Sequence, residues 1–283
     1  LAEIYDLIII DEAHHAGSSS YLKLINETLA GTNNGPYLLG LTATPWRSDE
    51  SKLDEIFCER LCCVDIAQGL TSGYLSNVDY RMHVDNINWE NLSNIKGASP
   101  KELNKTLFIQ EWDDAVIDTI RDTWSEINNP KGIIFCSRIE HAFRMADKIN
   151  AMGFTRAEVI FSGSFNGRKM NPIDRSTTLC DFTDGIIGII CAVDIFNEGI
   201  DVPDVNIVVF QRVTHSRRIF IQQLGRGLRI SPGKEKVIVL DFVSDVRRFA
   251  AGLDLKGRIS SAPRWVQLNN PVKFINKTKE DLK

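Results

Sequence analysis

Short apolar runs that stop abruptly at polar or charged residues recur along this chain, and they constrain its fold more than any other feature. Residues 4–10 read as one such run ending at Asp11 and Glu12, and residues 132–136 (GIIFC) end at Ser137 and Arg138. Residues 157–161, 188–192, 205–210 and 236–242 repeat the pattern. Runs of this length, apolar at successive positions, suit strands buried on both faces, and such strands belong to parallel sheets covered by helices. Apolar residues at helical spacing over 21–29, 112–127, 140–152 and 176–182 supply the helices. The spacing predicts further strands at 37–41 and 61–66, and helices at 49–57 and 218–224. Strand and helix in alternation imply right-handed crossover units, hence an α/β fold with doubly wound parallel sheets.

Domain limits follow from where this rhythm breaks. Polar and small residues crowd positions 86–100 (Asn86, Asn88, Asn91, Ser93, Asn94, Gly97, Ser99, Pro100), which places a linker at 86–110. One domain is then expected over residues 1–85 and a second over 111–250, leaving a tail at 251–283 without clear periodicity. A chain of 283 residues suits one or two domains. No apolar run approaches the ~20 residues of a membrane span, and the first residues lack the order of a secretory leader. The expected setting is therefore cytoplasmic, with no membrane partner. Cys136 and Cys191 sit inside apolar runs as core residues, and Cys58, Cys62 and Cys63 lack a second pair at zinc spacing.

A net charge of -4 excludes a wholly basic nucleic-acid coat but permits a basic face. Such a face is suggested by Arg212, Arg217, Arg218, Arg226, Arg229, Lys234 and Lys236, which share the stretch 212–236 with one acid, Glu235. A solvated loop and helix would look the same.

In open α/β sheets ligands bind at the carboxyl ends of the strands, so the residues that follow each apolar run are the candidates for chemistry. Asp11 and Glu12 follow the first run: one carboxylate can hold a hydrated Mg²⁺ while its neighbour orients or deprotonates an attacking water. Taken alone, an acidic pair also suits mere solubility. Thr42-Ala43-Thr44-Pro45 follows Leu41 and reads alone as a turn, although its two hydroxyls could relay between a nucleotide and a nucleic acid. The segment 194–203 (DIFNEGIDVP) carries Gly199, which lets backbone approach a phosphate, and Asp201, which can accept from a sugar hydroxyl. Gln222-x-x-Gly225-Arg226-x-x-Arg229 would, on a helix, place both arginines on one face to reach a transferring phosphoryl group together.

The ordered set DEAH, LTATP, GIIFCSR, NEGIDVP and QQLGRGLR resembles motifs II to VI of the superfamily-two DEAD/DEAH-box helicases. It is most similar to the branch holding type I and type III restriction subunits and repair translocases, and the continuation Gly227-Leu228-Arg229-x-x-Pro232-Gly233-Lys234 favours that branch. The resemblance covers residues 6–242 and implies an ATP-dependent helicase or translocase with a cleft between two RecA-like lobes. Its cofactors would be ATP and Mg²⁺ and its partner nucleic acid, DNA favoured over RNA. Asp11 would hold the metal, Glu12 would activate water, and His14 would couple the nucleotide site to the adjoining lobe. Thr42 and Thr44 would link hydrolysis to movement. Gly199 and Asp201 would contact nucleotide, Gln222 would order the interface, and Arg226 and Arg229 would be fingers. Ser137, Arg138, Ser162 and Gly163 would face the backbone of the bound strand. His15 is left as a surface residue.

Two departures stand out. No G-x-x-x-x-G-K-[ST] phosphate loop occurs in the sequence, so the first lobe is expected to be incomplete at its N-terminus, with an upstream segment or a partner chain completing it. Val193 stands where many relatives carry Thr, which removes one hydroxyl contact to the tracked strand. Alternatives from other classes are a nucleic-acid-binding module without turnover and a subunit that supplies Arg226 and Arg229 in trans.

Overall fold

A computed structural model describes residues 5–29, 36–42, 53–58, 61–64, 66–84, 110–193, 202–211, 225, 227–242 and 272–276. Two compact units divide the chain: Leu1–Val64 with Ser216–Gln222, and Asp65–His215 with Gln223–Lys283. No helix among the described residues is long and apolar enough to cross a membrane.

In the first unit β1 (Leu7–Ile10) runs parallel to β2 (Tyr37–Gly40), with Ile10 opposite Gly40. A 3-10 turn (Ala13–His15) and α1 (Ser19–Leu29) join them, and α2 (Asp54–Phe57) follows. Ile10, Ala13, Ala16 and Ile25 form a small core, with Ile8, Leu38, Ile56 and Phe57 packed against it. The strand expected to be buried on both faces is not. Leu7 is 48% and Ile9 55% exposed, because successive side chains point to opposite faces and this core takes only Ile8 and Ile10. The strand expected at 61–66 is also absent: residues 61–64 are exposed and irregular, and α3 (Ile66–Thr71) begins where it should end.

The second unit holds one seven-stranded sheet in the order β11-β3-β10-β9-β4-β8-β5, every pair of neighbours parallel. Its elements are β3 (Asn77–Val84), α4 (Gln110–Trp124), β4 (Gly132–Cys136), α5 (Ile139–Met152), β5 (Ala157–Ile160), α6 (Pro172–Thr183), β8 (Ile189–Ala192), β9 (Ile207–Gln211), β10 (Lys236–Asp241) and β11 (Val272–Asn276). A two-stranded ribbon, β6 (Ser164–Phe165) with β7 (Arg168–Lys169), precedes α6. β4, β8 and β9 are buried at every residue, as their uninterrupted apolar sequence requires. Cys136 and Cys191 are core residues with no exposure.

The expected boundary at residue 86 is corrected by β3. That strand lies between β10 and β11 in the second unit's sheet, so the division falls after Val64. Its polar residues find partners there. The Tyr80 hydroxyl donates to buried Asp241 Oδ2 at 2.7 Å. Arg81 grips Glu126 through two bonds of 2.8 and 2.6 Å and also reaches Asp79 Oδ2 at 2.9 Å. This paired, fork-on-carboxylate contact holds the Glu126 carboxyl below its ordinary range of about 4.5, and raises the Arg81 guanidinium in turn. The tail, which shows no clear periodicity in the sequence, contributes β11, paired with β3. Residues 85–109, which hold nearly all of the expected linker, and the expected helix at 218–224 lie outside the described residues.

Candidate nucleotide and nucleic-acid sites

In the first unit the DEAH segment turns sharply off β1. Glu12 adopts left-handed backbone (φ 49°, ψ 46°), a conformation that costs a non-glycine residue roughly 1 kcal/mol or more. The turn folds the Glu12 amide back onto Asp11, whose Oδ1 accepts it at 2.9 Å, leaving the Asp11 carboxylate exposed at the carboxyl end of the strand. His14 is buried. Its Nδ1 lies 3.0 Å from Thr42 Oγ1 and 3.3 Å from Glu12 Oε2. Two backbone bonds, Leu41 N to Ile10 O at 2.9 Å and Ala13 N to Leu41 O at 2.8 Å, set this approach. Gly40 permits it: a Cβ there would meet the Phe57 ring at 2.8 Å and Ala13 Cβ at 2.9 Å.

The structure thus brings together Glu12, His14 and Thr42, with Asp11 beside them. His15 differs from its surface expectation: it is half-buried, its ring centroid 4.2 Å from that of His14. Thr44 lies outside the described residues. A small hard cation keeps several waters and takes one or two carboxylates plus substrate phosphates. An exposed Asp11 with Glu12 next to it fits Mg²⁺ on those terms.

In the second unit's seven-stranded sheet all strands are parallel, so the segments after β4, β5 and β8 share one end of the sheet. Ser137 and Arg138, both partly exposed, follow β4, and Arg138 is the extended residue (φ -149°) that opens α5. Ser162 and Gly163 are exposed beyond β5, where Gly163 has φ +87°. Val193 follows β8, buried at 7% exposure. Gly199, Asp201, Gln222 and Arg226 lie outside the described residues.

Arg229 corrects the expectation of a helical pair. Residues 225 and 227 are helical but Arg229 stands in a bend beyond them, exposed. Its carbonyl accepts from Ser76 Oγ at 2.9 Å and from Lys234 Nζ at 2.7 Å. Lys234 also donates to Gly227 O at 2.7 Å and Pro203 O at 2.8 Å, so all three ammonium protons are spent on backbone. Burial draws the Lys234 ammonium down to about 8, against the pull of Asp204. Lys234 therefore ends the helical turn as a cation on its last carbonyls and fixes the bend that carries Arg229. Gly227 lets that turn lie on the sheet, since a Cβ there would sit 2.5 Å from Val208 Cγ2. The sequence placed Lys234 in a basic stretch and in the continuation after Arg229, without its contacts to backbone, and gave no role to Ser76. The available signal was a Pro-Gly turn delivering a lysine just past a helix end.

Parallel α/β units with acidic, hydroxyl and arginine residues at the strand ends are the marks of RecA-like nucleotide-driven machines, and the comparisons agree. Residues 114–231 match the family profile of the helicase conserved C-terminal domain, and residues 1–47 that of the type III restriction enzyme res subunit. Over these two segments the chain is similar to the superfamily-two helicases.

Among its relatives is a Schizosaccharomyces pombe protein assigned as a mitochondrial ATP-dependent helicase, irc3, 27% identical over 88% of this chain and 40% of the relative. Another is the DNA 3'-5' translocase XPB2 of Sulfurisphaera tokodaii, 26% identical over 84% of this chain and 59% of the relative. The chain thus spans about two-fifths to three-fifths of these relatives. A fragment assigned as the HsdR subunit of a type I restriction enzyme from Vibrio vulnificus superposes with a TM-score of 0.67 at 22% identity, covering 98% of this chain and 49% of that one. The type ISP restriction-modification enzyme LlaBIII, solved on DNA, gives 0.59 at 15% identity over 96% of this chain and 21% of the other. At these identities the superpositions establish the RecA-like α/β fold.

Proposed function

We propose that this chain carries the hydrolysing and strand-gripping residues of an ATP-dependent helicase or translocase that works on DNA. The observation that carries the reading is the contact of His14 with both Glu12 and Thr42. Through it, a change in what Glu12 faces reaches the segment after β2, as coupling of hydrolysis to movement requires. Mg²⁺, when bound with ATP, supplies charge neutralisation between the phosphates. Asp11 is the carboxylate that would hold it, and Glu12 orients the attacking water and takes its proton. Thr42 and Thr44 pass the change onward. Arg226 and Arg229 meet the charge of the transferring phosphoryl group, Gln222 orders them, and Gly199 and Asp201 contact the nucleotide. Ser137, Arg138, Ser162 and Gly163 hold the sugar-phosphate backbone.

DNA is preferred over RNA because the restriction-subunit match and the relative named as a DNA translocase lie on that branch. A second reading, a binding module without turnover, is favoured by one observation: the 283 residues contain no G-x-x-x-x-G-K-[ST]. Both readings are tested first by salt-resolved anisotropy on single- and double-stranded DNA and RNA. The proposal expects DNA binding that weakens with salt, with a slope reduced by about 0.7 in Arg138→Ala on single strands. Equal slopes would remove Arg138 from the interface, and tighter binding to RNA would reverse the substrate.

A further inference from the structure

Beneath the segment after β4 lies a buried chain of hydrogen bonds that the roles above do not use. Ser137 Oγ is 3.1 Å from His141 Nδ1, and His141 Nε2 is 3.1 Å from Asp113 Oδ1. Arg144 Nε donates to Asp113 Oδ2 at 2.6 Å. Asp113 has 0% exposure and His141 2%, while Ser137 is partly exposed. The chain links α4, α5 and the end of β4, and only its Ser137 end opens to solvent among these three residues.

Hydrogen-bond sense decides what Ser137 can bind. Asp113 as a carboxylate can only accept, so the imidazole must carry its proton on Nε2. In the neutral ring Nδ1 is then a lone pair, and the Ser137 hydroxyl donates inward to it. So arranged, Ser137 shows only lone pairs to the outside. A phosphodiester oxygen also only accepts, and the two do not match. Turning the hydroxyl outward would strand Nδ1 as a buried acceptor, a penalty equivalent to roughly five- to a hundredfold in binding. Protonation of the ring removes the conflict: Nδ1–H donates to Oγ, the hydroxyl proton is free to point outward, and the carboxylate of Asp113 faces an imidazolium.

We propose that Asp113 and His141 are positioning residues for Ser137, and that Ser137 takes a backbone phosphate of the bound strand together with one proton taken up at His141. No covalent bond changes; the proton comes from solvent and stays on Nδ1. The inference rests on Ser137 being a backbone contact. α5 packs against α4, β4, β5 and β8. The charged and titratable groups these elements bring are Glu111, Asp113, Asp114, Asp118, Arg121 and Asp122 of α4, Cys136, Glu158 and Cys191, with Arg138, Glu140, Arg144, Asp147 and Lys148 on the ring's own segment. Asp114 is engaged by Lys148, Glu158 by Arg156, and Asp118 and Asp122 by Arg121, while Asp113 answers both the ring and Arg144, one carboxylate oxygen to each.

The test is binding of labelled oligo-dT to the 283-residue chain by anisotropy, at fixed ionic strength from pH 5.5 to 8.5. Wild type should gain about five- to a hundredfold in affinity toward low pH beyond any gain in Ser137→Ala or His141→Gln. Ser137→Thr, which keeps the hydroxyl, should retain the gain. Should His141→Gln unfold, NMR of the His141 ring in wild type answers instead: added oligo-dT should shift its titration upward, and should not do so in Ser137→Ala. If Ser137→Ala binds like wild type at every pH, or nothing binds, the reading of Ser137 as a contact fails and takes the proposal with it. If Ser137→Ala binds more weakly but keeps the full pH-dependent gain, the contact stands and the proton-linked positioning is overturned. An unmoved His141 titration on binding overturns it equally.

Discussion

Replacing Lys234 with Met should loosen the bend that carries Arg229. The ammonium spends its three protons on Gly227 O, Arg229 O and Pro203 O at 2.7 to 2.8 Å. These losses are unequal. Arg229 O keeps Ser76 Oγ, and Pro203 is exposed enough for water to substitute, so each of those two bonds contributes about 0.5–1 kcal/mol. Gly227 is buried, and its charge-assisted bond contributes about 1.5–3 kcal/mol. Against this, Met escapes the burial that draws the ammonium from 10.5 down to about 8, which offsets most of that sum and leaves a net loss of about 1 kcal/mol. Urea unfolding followed by far-UV circular dichroism measures it. Lys234→Arg should recover only part, because a planar fork cannot point three donors at three converging carbonyls. A Met variant within about 0.5 kcal/mol of wild type, the usual scatter of a surface change, would refute the idea that Lys234 organises this segment.

Gly227→Ala should destabilise by about 1–3 kcal/mol through the clash with Val208, whereas Gly225→Ala, with open space around it, should be close to neutral; paired thermal melts compare them. Glu126, held below about 4.5 by Arg81, contributes stability that is fully present above that pH and is lost as pH falls through its lower folded value. Glu126→Gln should therefore be less stable than wild type at neutral pH and converge with it in acid, a difference read from melting temperature against pH. A fragment starting at Asp65 should melt cooperatively, while residues 111–250, lacking β3, should expose the edge of β10 and bind a hydrophobic dye.

Which elements could be read from sequence follows from how they are buried. β4, β8, β9 and β10 sit in the sheet's interior and are apolar almost throughout, so the run itself announced each strand. β3 is equally internal, but Asp79, Arg81 and His83 interrupt its pattern, and the groups that accommodate them, Lys236, Glu126 and the Phe242 ring, lie far along the chain. Nothing local in β3 could reveal those partners. The start of α6 was readable and overlooked: Asn171 Oδ1 caps Asp174 N at 2.9 Å and Asp174 Oδ2 returns to Asn171 N at 3.0 Å, with Pro172 at the first turn. At the candidate sites the strand-end residues were legible because parallel sheets put ligands there. The pairing of His14 with Thr42 joins residues 28 apart, and the exposed faces of Leu7 and Ile9 depend on what packs against β1. Neither is a property of a local pattern.

Hydrolysis by Asp11 and Glu12 coupled to nucleic acid is tested by ATP turnover of the longest natural protein that carries this sequence, with and without DNA. The expected result is DNA-stimulated hydrolysis that Glu12→Gln abolishes with nucleotide binding retained, and that Arg229→Ala lowers by roughly 10³ or more. Turnover that ignores DNA, or that survives Glu12→Gln, would contradict it.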